Sequence, residues 1–332
     1  MSFGLFSSST FSQSILDNTQ LRFFTHTELT SSRDSTNKRS TAMEIGDVEL
    51  LLTAQITDKL SFLGEVIYTI DDGLEIDRLM IKYQFNDYVH VSVGRLYTPM
   101  GLWNTTFYHQ ARVLTPTIDH PVIIADDADF GVLDNKDEGI QIGGENISDI
   151  RLGYKLFLSD GFSVDFGNKP HMQSITYNVF AEPIDNFKLG VSGQYQKLDA
   201  GENTAFGLLT ETHHFNMYNA SLMYLGGVSK FEFASEYFII DVRSENHKTD
   251  YFSGFFLYSG YKINKFIPYV QYNKVDYQQG NEVFAKNNFT GSTLGLRYKI
   301  SALSVLKLEA QFLEADDFKK LNRLEVMWAI GF

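Results

Sequence analysis

Leu324-Glu325-Val326-Met327-Trp328-Ala329-Ile330-Gly331-Phe332 ends the chain with Leu324, Val326, Trp328, Ile330 and Phe332 on one parity and Glu325, Met327, Ala329 and Gly331 on the other. A period of two is the signature of a strand with one face in lipid or in a core and the other in water. Working back, Leu306, Leu308, Ala310 and Phe312 oppose Lys307, Glu309 and Gln311; Leu294, Leu296, Tyr298 and Ile300 oppose Thr293, Gly295, Arg297 and Lys299. Leu79, Ile81, Tyr83 and Phe85 oppose Arg78, Lys82 and Gln84 in the same way. Continued to the N-terminus, the pattern predicts about sixteen strands, near residues 21–30, 44–57, 60–71, 74–86, 88–98, 139–147, 150–159, 171–182, 186–198, 214–225, 228–242, 250–263, 265–277, 288–300, 303–314 and 320–332.

The links between these segments alternate in length. Short ones at 57–60, 86–88, 148–149, 183–185, 226–227, 264 and 301–302 lie between longer polar ones at 31–43, 99–138, 160–170, 199–213, 243–249, 278–287 and 315–319. Only the 71–73 link breaks the rhythm. An all-β, closed, antiparallel up-and-down transmembrane barrel, with tight turns at one rim and long loops at the other, produces this pattern. Beside the short turns the apolar parity carries Phe62, Phe85, Phe187, Tyr224, Phe231, Phe266, Tyr298 and Phe332, and a second aromatic set follows at Tyr68, Tyr195, Tyr237, Tyr272 and Phe312. Two aromatic girdles at headgroup level are the expectation. Two packed soluble sheets would also alternate, but sandwiches seldom keep one meander over so many strands and lack the loop asymmetry.

Composition narrows the function classes. The 332 residues are 14% aromatic and 21% charged, with 6 Pro and no Cys, which excludes disulfides, thiol nucleophiles and Cys-based metal sites. No stretch approaches the ~20 apolar residues of a spanning helix. A net charge of −13 argues against nucleic acid as a partner. Residues 1–20 form a lead-in segment without a basic stretch followed by an apolar one, so a signal peptide is either missing or already removed. Residues 21–332 are expected to form the barrel, with one long insertion at 99–138.

The terminal strand, closing on Trp328, Ile330 and Phe332, resembles the C-terminal signature of Gram-negative outer-membrane barrels that the barrel-assembly machinery reads. Strand number, a long third-loop insertion and chain length extend the likeness to the porins. A further resemblance, to the phosphate-selective porins, lies in Val93-Gly94-Arg95-Leu96-Tyr97-Thr98-Pro99-Met100-Gly101, although a strand terminus with a bulge reads the same. The resemblance implies an outer-membrane location, outer-membrane lipid as surroundings, small hydrophilic solutes as cargo and a homotrimer as the assembly.

A barrel this wide cannot be filled by its own side chains, so water enters unless a loop intrudes. The parity opposite the lipid face then lines a lumen with Arg22, Glu28, Glu49, Glu65, Arg78, Lys82, Arg151, Lys155, Lys188, Glu232, Glu236, Arg297, Lys299, Lys307, Glu309, Arg323 and Glu325. The 99–138 insertion is the candidate constriction, anchored by Trp103, Phe107, Tyr108, Val122, Ile123 and Ile124. Its Asp126, Asp127 and Asp129 would face basic groups such as Arg78, Lys82, Arg95, Arg112, Arg151, Lys155, Lys188, Arg297 and Lys299, orienting polar solutes. An extracellular lid is the alternative placement of that loop.

Passive diffusion needs no cofactor, and none is expected. The loop aspartates, with Asp134 and Asp137, could instead hold Ca²⁺, but their order does not match an EF-hand loop. His213 and His214 are adjacent and point to opposite faces of a strand, and no catalytic grouping of Ser, His and Asp stands out. A non-conducting surface adhesin or receptor is the main competing function, and a barrel enzyme a lesser one. Ion preference cannot be read from net charge, which counts loops as well as lumen.

Overall fold

A computed structural model describes residues 18–70, 73–107, 111–124, 133, 135–161, 173–201, 203–204, 207–226, 229–245, 249–277, 288–316 and 319–332. Its strands are β1 (Thr19–Asp34), β2 (Arg39–Gln55), β3 (Leu60–Thr69), β4 (Gly73–Asn86), β5 (Val89–Tyr97), β6 (Lys136–Ile147), β7 (Leu152–Ser159), β8 (Ser174–Ile184) and β9 (Phe187–Leu198). After a two-stranded pair, β10 (Asn203–Thr204) with β11 (Gly207–Leu208), come β12 (His213–Tyr224), β13 (Phe231–Ser244), β14 (Thr249–Tyr261), β15 (Phe266–Tyr277), β16 (Phe289–Ser301), β17 (Ser304–Ala315) and β18 (Leu321–Gly331). A short helix, α1 (Leu102–Phe107), and a single 3₁₀ turn at Val122–Ile124 lie in the insertion.

All strands except β10 and β11 hydrogen-bond to their chain neighbours in one antiparallel barrel, closed where β1 meets β18. The closed sheet of sixteen strands is therefore the observed fold. At the seam Thr25 faces Ile330 and Thr27 faces Trp328, and the final residue is held on both sides of its peptide by Phe23, with Phe332 N–H donating to Phe23 O at 3.0 Å. The Phe332 ring stacks on Phe23 at 5.4 Å, so the C-terminal aromatic serves the closure itself.

Parity sorts the side chains. Leu79, Ile81 and Tyr83 on β4, Leu306 and Leu308 on β17, and Leu324 and Trp328 on β18 all lie exposed on the outside. Their neighbours of the other parity point inward and are buried, as with Lys307, Glu309 and Glu325. A closed wall without an edge, apolar on its outer face, is the strand solution to spanning lipid. At the tight-turn rim the outer aromatics pair across strands: Phe187 with Tyr224, Phe231 with Tyr261, and Phe266 with Tyr298 at 4.7 Å. The turns there use left-handed residues, with φ of 65° at Asn186 and 55° at Asn264, as two-residue hairpins require.

One expected long loop is not a loop. Residues 31–43 continue β1 and β2 up to a turn at 35–38, capped by Asp34, whose Oδ1 accepts the N–H groups of Thr36 and Lys38. Beyond the lipid belt both faces of a hairpin meet water, so Ser31, Ser32, Ser40 and Thr41 lose the alternation while keeping the ladder.

Candidate functional site

The lumen is occupied on one side by the insertion. Its entry follows β5, where residues 98–101 turn the chain off the wall; Gly94 lies just upstream, within β5 and paired with Met80 and Gly139. Gly94 has φ +134°, and a Cβ there would lie 1.9 Å from the Leu79 carbonyl oxygen. Gly101 has φ +76°, and a Cβ there would lie 2.2 Å from Glu236 Oε2. Both positions need glycine for conformation and for close approach.

From Gly101 onward polar groups of the wall receive the loop backbone. Gly101 N–H donates to Ser192 Oγ at 2.9 Å, Asn178 Nδ2 donates to Pro99 O at 3.0 Å, and Glu236 accepts the Trp103 N–H. Farther along, Ile118 N–H donates to Glu309 Oε1 at 2.7 Å. The Lys307 ammonium, on a fully buried side chain, donates to Arg112 O, Thr115 Oγ1 and Thr117 O at 2.6–2.7 Å. Arg323 and Gln311 both reach Asp119, at 3.6 and 3.1 Å. These contacts satisfy part of an irregular backbone with side chains of the wall.

Apolar packing completes the docking. Trp103 is fully buried, with its ring 5.2 Å from Phe256 and 6.3 Å from Tyr258 on β14. Ile123 sits over Gly254, where a Cβ would come within 2.6 Å of it. Phe215, Phe238, Ile240 and Phe252 join this cluster, so the inward face from β12 to β16 is largely apolar. The alternation argument expected a charged, wet wall all round and missed this. The signal was present in Phe238-Ile239-Ile240 and Phe255-Phe256, where both parities are apolar.

The basic residues expected in the pore all fall among the described residues. Arg78, Lys82, Lys155, Lys188, Arg297 and Lys299 lie on lumen-facing parity. Arg78 pairs with Glu65 and covers the Tyr97 ring at 4.2 Å, and Arg297 pairs with Glu232. Arg112 lies on the insertion, its Nη1 donating to Ile118 O at 3.1 Å. Two of the expected residues stand apart from these. Arg95 shares the parity of lipid-facing Val91 and Val93, and its guanidinium bridges Glu138 at 3.3 Å and Glu75 at 3.8 Å. Arg151 stands in the β6–β7 turn with φ 49°, its Nη1 2.7 Å from Asp185 in the next turn, because the strand starts one residue later. Asp126, Asp127, Asp129, Asp134 and Tyr108 lie outside the described residues, as do residues 1–17 of the lead-in segment.

Lys82, Lys155 and Lys188 differ from the inward cations Arg78, Arg297 and Lys307, as does Lys299 on β16. None has an ion pair or hydrogen bond among the described residues, and all keep partial exposure to solvent. Lys82, Lys155 and Lys188 come from β4, β7 and β9 near the tight-turn rim, within electrostatic reach of one another, with Glu145 as the acid nearby. His90 lies with Lys82 in a recess of about 410 Å³ beside them. Among the described residues no three of His, Asp and Glu gather as metal ligands.

Wall, insertion and outer belt together define a sixteen-stranded transmembrane barrel with the porin type of fold. No family model matches the sequence, and no curated protein matches it. The fold has solved relatives in shape. An anion-selective porin from Comamonas acidovorans superposes with a TM-score of 0.70 over 95% of this chain and 99% of that one, at 12% identity. Salmonella typhi OmpF in complex with daunomycin gives 0.64 over 96% and 99%, at 12% identity. The trimer form of Vibrio cholerae OmpT, an outer membrane protein, gives 0.64 over 95% and 100%, at 10% identity.

Proposed function

We propose that the protein is a passive porin of the Gram-negative outer membrane, passing small hydrophilic solutes and ions through a lumen narrowed by the 99–138 insertion. The observation that carries this is the position of the insertion: its described part is bound to the wall from β8 to β18, while Lys82 on β4, Lys155 on β7 and Lys188 at the tight-turn end of β9 stay partly open to solvent. Hydrated charges so placed set a field on passing solutes. The fold shared with an anion-selective porin supports the same reading, and the trimer form of the outer membrane protein of similar fold from Vibrio cholerae supports a homotrimer here. The outward Trp328, Ile330 and Phe332 are proposed as the signal read during assembly.

The apolar packing of the insertion favours one competitor, a plugged receptor barrel that does not conduct. Conductance in a planar bilayer under a salt gradient separates the two. A porin gives discrete steps and a reversal potential; silence after verified insertion gives the receptor.

A further inference from the structure

The outside of the barrel carries a feature the pore does not need. A single register row of outward residues crosses six strands: Ser31 on β1 faces Leu324, which faces Ala310, then Leu294, Val270 and Ser259 on β14. Small side chains at Ala310, between Leu324 and Leu294, and at Ser259, beside Val270, leave an apolar groove of about 500 Å³. Ala310 and Leu324 also line an adjoining recess of about 400 Å³ that reaches Arg33, Arg39 and Asn322 at the long-loop rim.

Arg33 and Arg39 lie directly opposite each other across β1 and β2. Like charges in that position are destabilising, yet neither guanidinium has an acidic partner among the described residues. The nearest carboxylate in the chain, Asp34, accepts from its own turn at Thr36 and Lys38. Arg33 belongs to the register row of Asn322 and Phe312, and Phe312 is one of the aromatics of the upper girdle. Two unpaired guanidiniums at headgroup height, continuous with an apolar groove, present the charge and shape of a binding site for an anionic amphiphile. Guanidinium forks match phosphate oxygens in pairs.

We propose that this face binds a phosphate-bearing acyl lipid of the surrounding leaflet, the phosphate held between Arg33 and Arg39 and an acyl chain laid along the Leu324–Ala310–Leu294 row. The inference rests on the outer face lying in lipid and is independent of whether the lumen conducts.

The test is native mass spectrometry of the full, folded chain in detergent, after incubation with bis-phosphorylated lipid A or with its dephosphorylated counterpart. Expected are retained phosphorylated lipid, roughly tenfold less of it with the double variant Arg33→Gln, Arg39→Gln, and an equal drop for the dephosphorylated probe on the native chain. Arg33→Lys with Arg39→Lys should keep most of the binding, and Ala310→Trp should lower it with both arginines intact. Equal retention of both probes, or no change in the double glutamine variant, overturns the proposal. So does a lipid-free oligomer that Ala310→Trp converts to monomer, since a second copy of the chain would then fill the groove.

Discussion

Lys307 shows how much one side chain can decide in this lumen. A desolvated ammonium is costly unless its protons are used, and here the insertion uses them: Arg112 O, Thr115 Oγ1 and Thr117 O all accept from it. Lys307→Met keeps the volume and removes the donor, leaving the single Thr115 hydroxyl proton to serve both Arg112 O and Thr117 O, so that at least one buried carbonyl lacks a partner at about 1–3 kcal/mol. The insertion should then leave the wall often enough for trypsin to cut after Arg112 in the folded barrel. The native chain, digested alongside and followed by gel mobility, should stay intact there. Parity alone placed Lys307 inward. Its partners were not legible, because they lie 190–195 residues away in the sequence and no local rule connects a strand to a loop at that separation.

At the scale of elements, the strands were readable and the insertion was not. Each barrel strand meets lipid on one side, so hydropathy alternates with the backbone; the bounds drifted most where a hairpin rises past the belt, as at Arg33 and Arg39, and by two or three residues at other strand ends, as at Lys136, Leu152, Ser174 and Phe231. The insertion has no period, and its placement depends on the left-handed backbone at Gly101 and on an apolar wall that alternation could not assign. Trp103 is the centre of that contact. Trp103→Ala should cost about 3–5 kcal/mol of loop docking by the rule for buried aromatic truncations. Single-channel conductance should rise and grow noisier, while the barrel keeps its heat-dependent gel mobility. Gly94→Ala acts on the wall instead. A residue forced to hold this glycine-only backbone pays about 1–3 kcal/mol, and the added Cβ meets the Leu79 carbonyl oxygen. The folded fraction after refolding should fall, read on the same gels.

Across the whole molecule, net charge misleads about the pore. The chain carries −13, yet inward cations such as Arg78 and Arg297 are already paired with wall carboxylates, whereas Lys82, Lys155 and Lys188 are not. A unit charge about 8 Å from a passing ion contributes about 0.5 kcal/mol in water, a factor of about 2 in local ion ratio. Three such charges acting together favour anions several-fold, and a remote acidic loop beyond a Debye length of about 10 Å at 0.1 M salt does little to offset them. Replacing all three lysines by glutamine should therefore move the reversal potential in a KCl gradient toward the cation side with little change in conductance. The shift should shrink as both chambers approach 1 M salt, where screening falls to about 3 Å. An unchanged reversal potential in the triple variant would mean that ions take another course through the lumen, past Glu28 and the opposite arc.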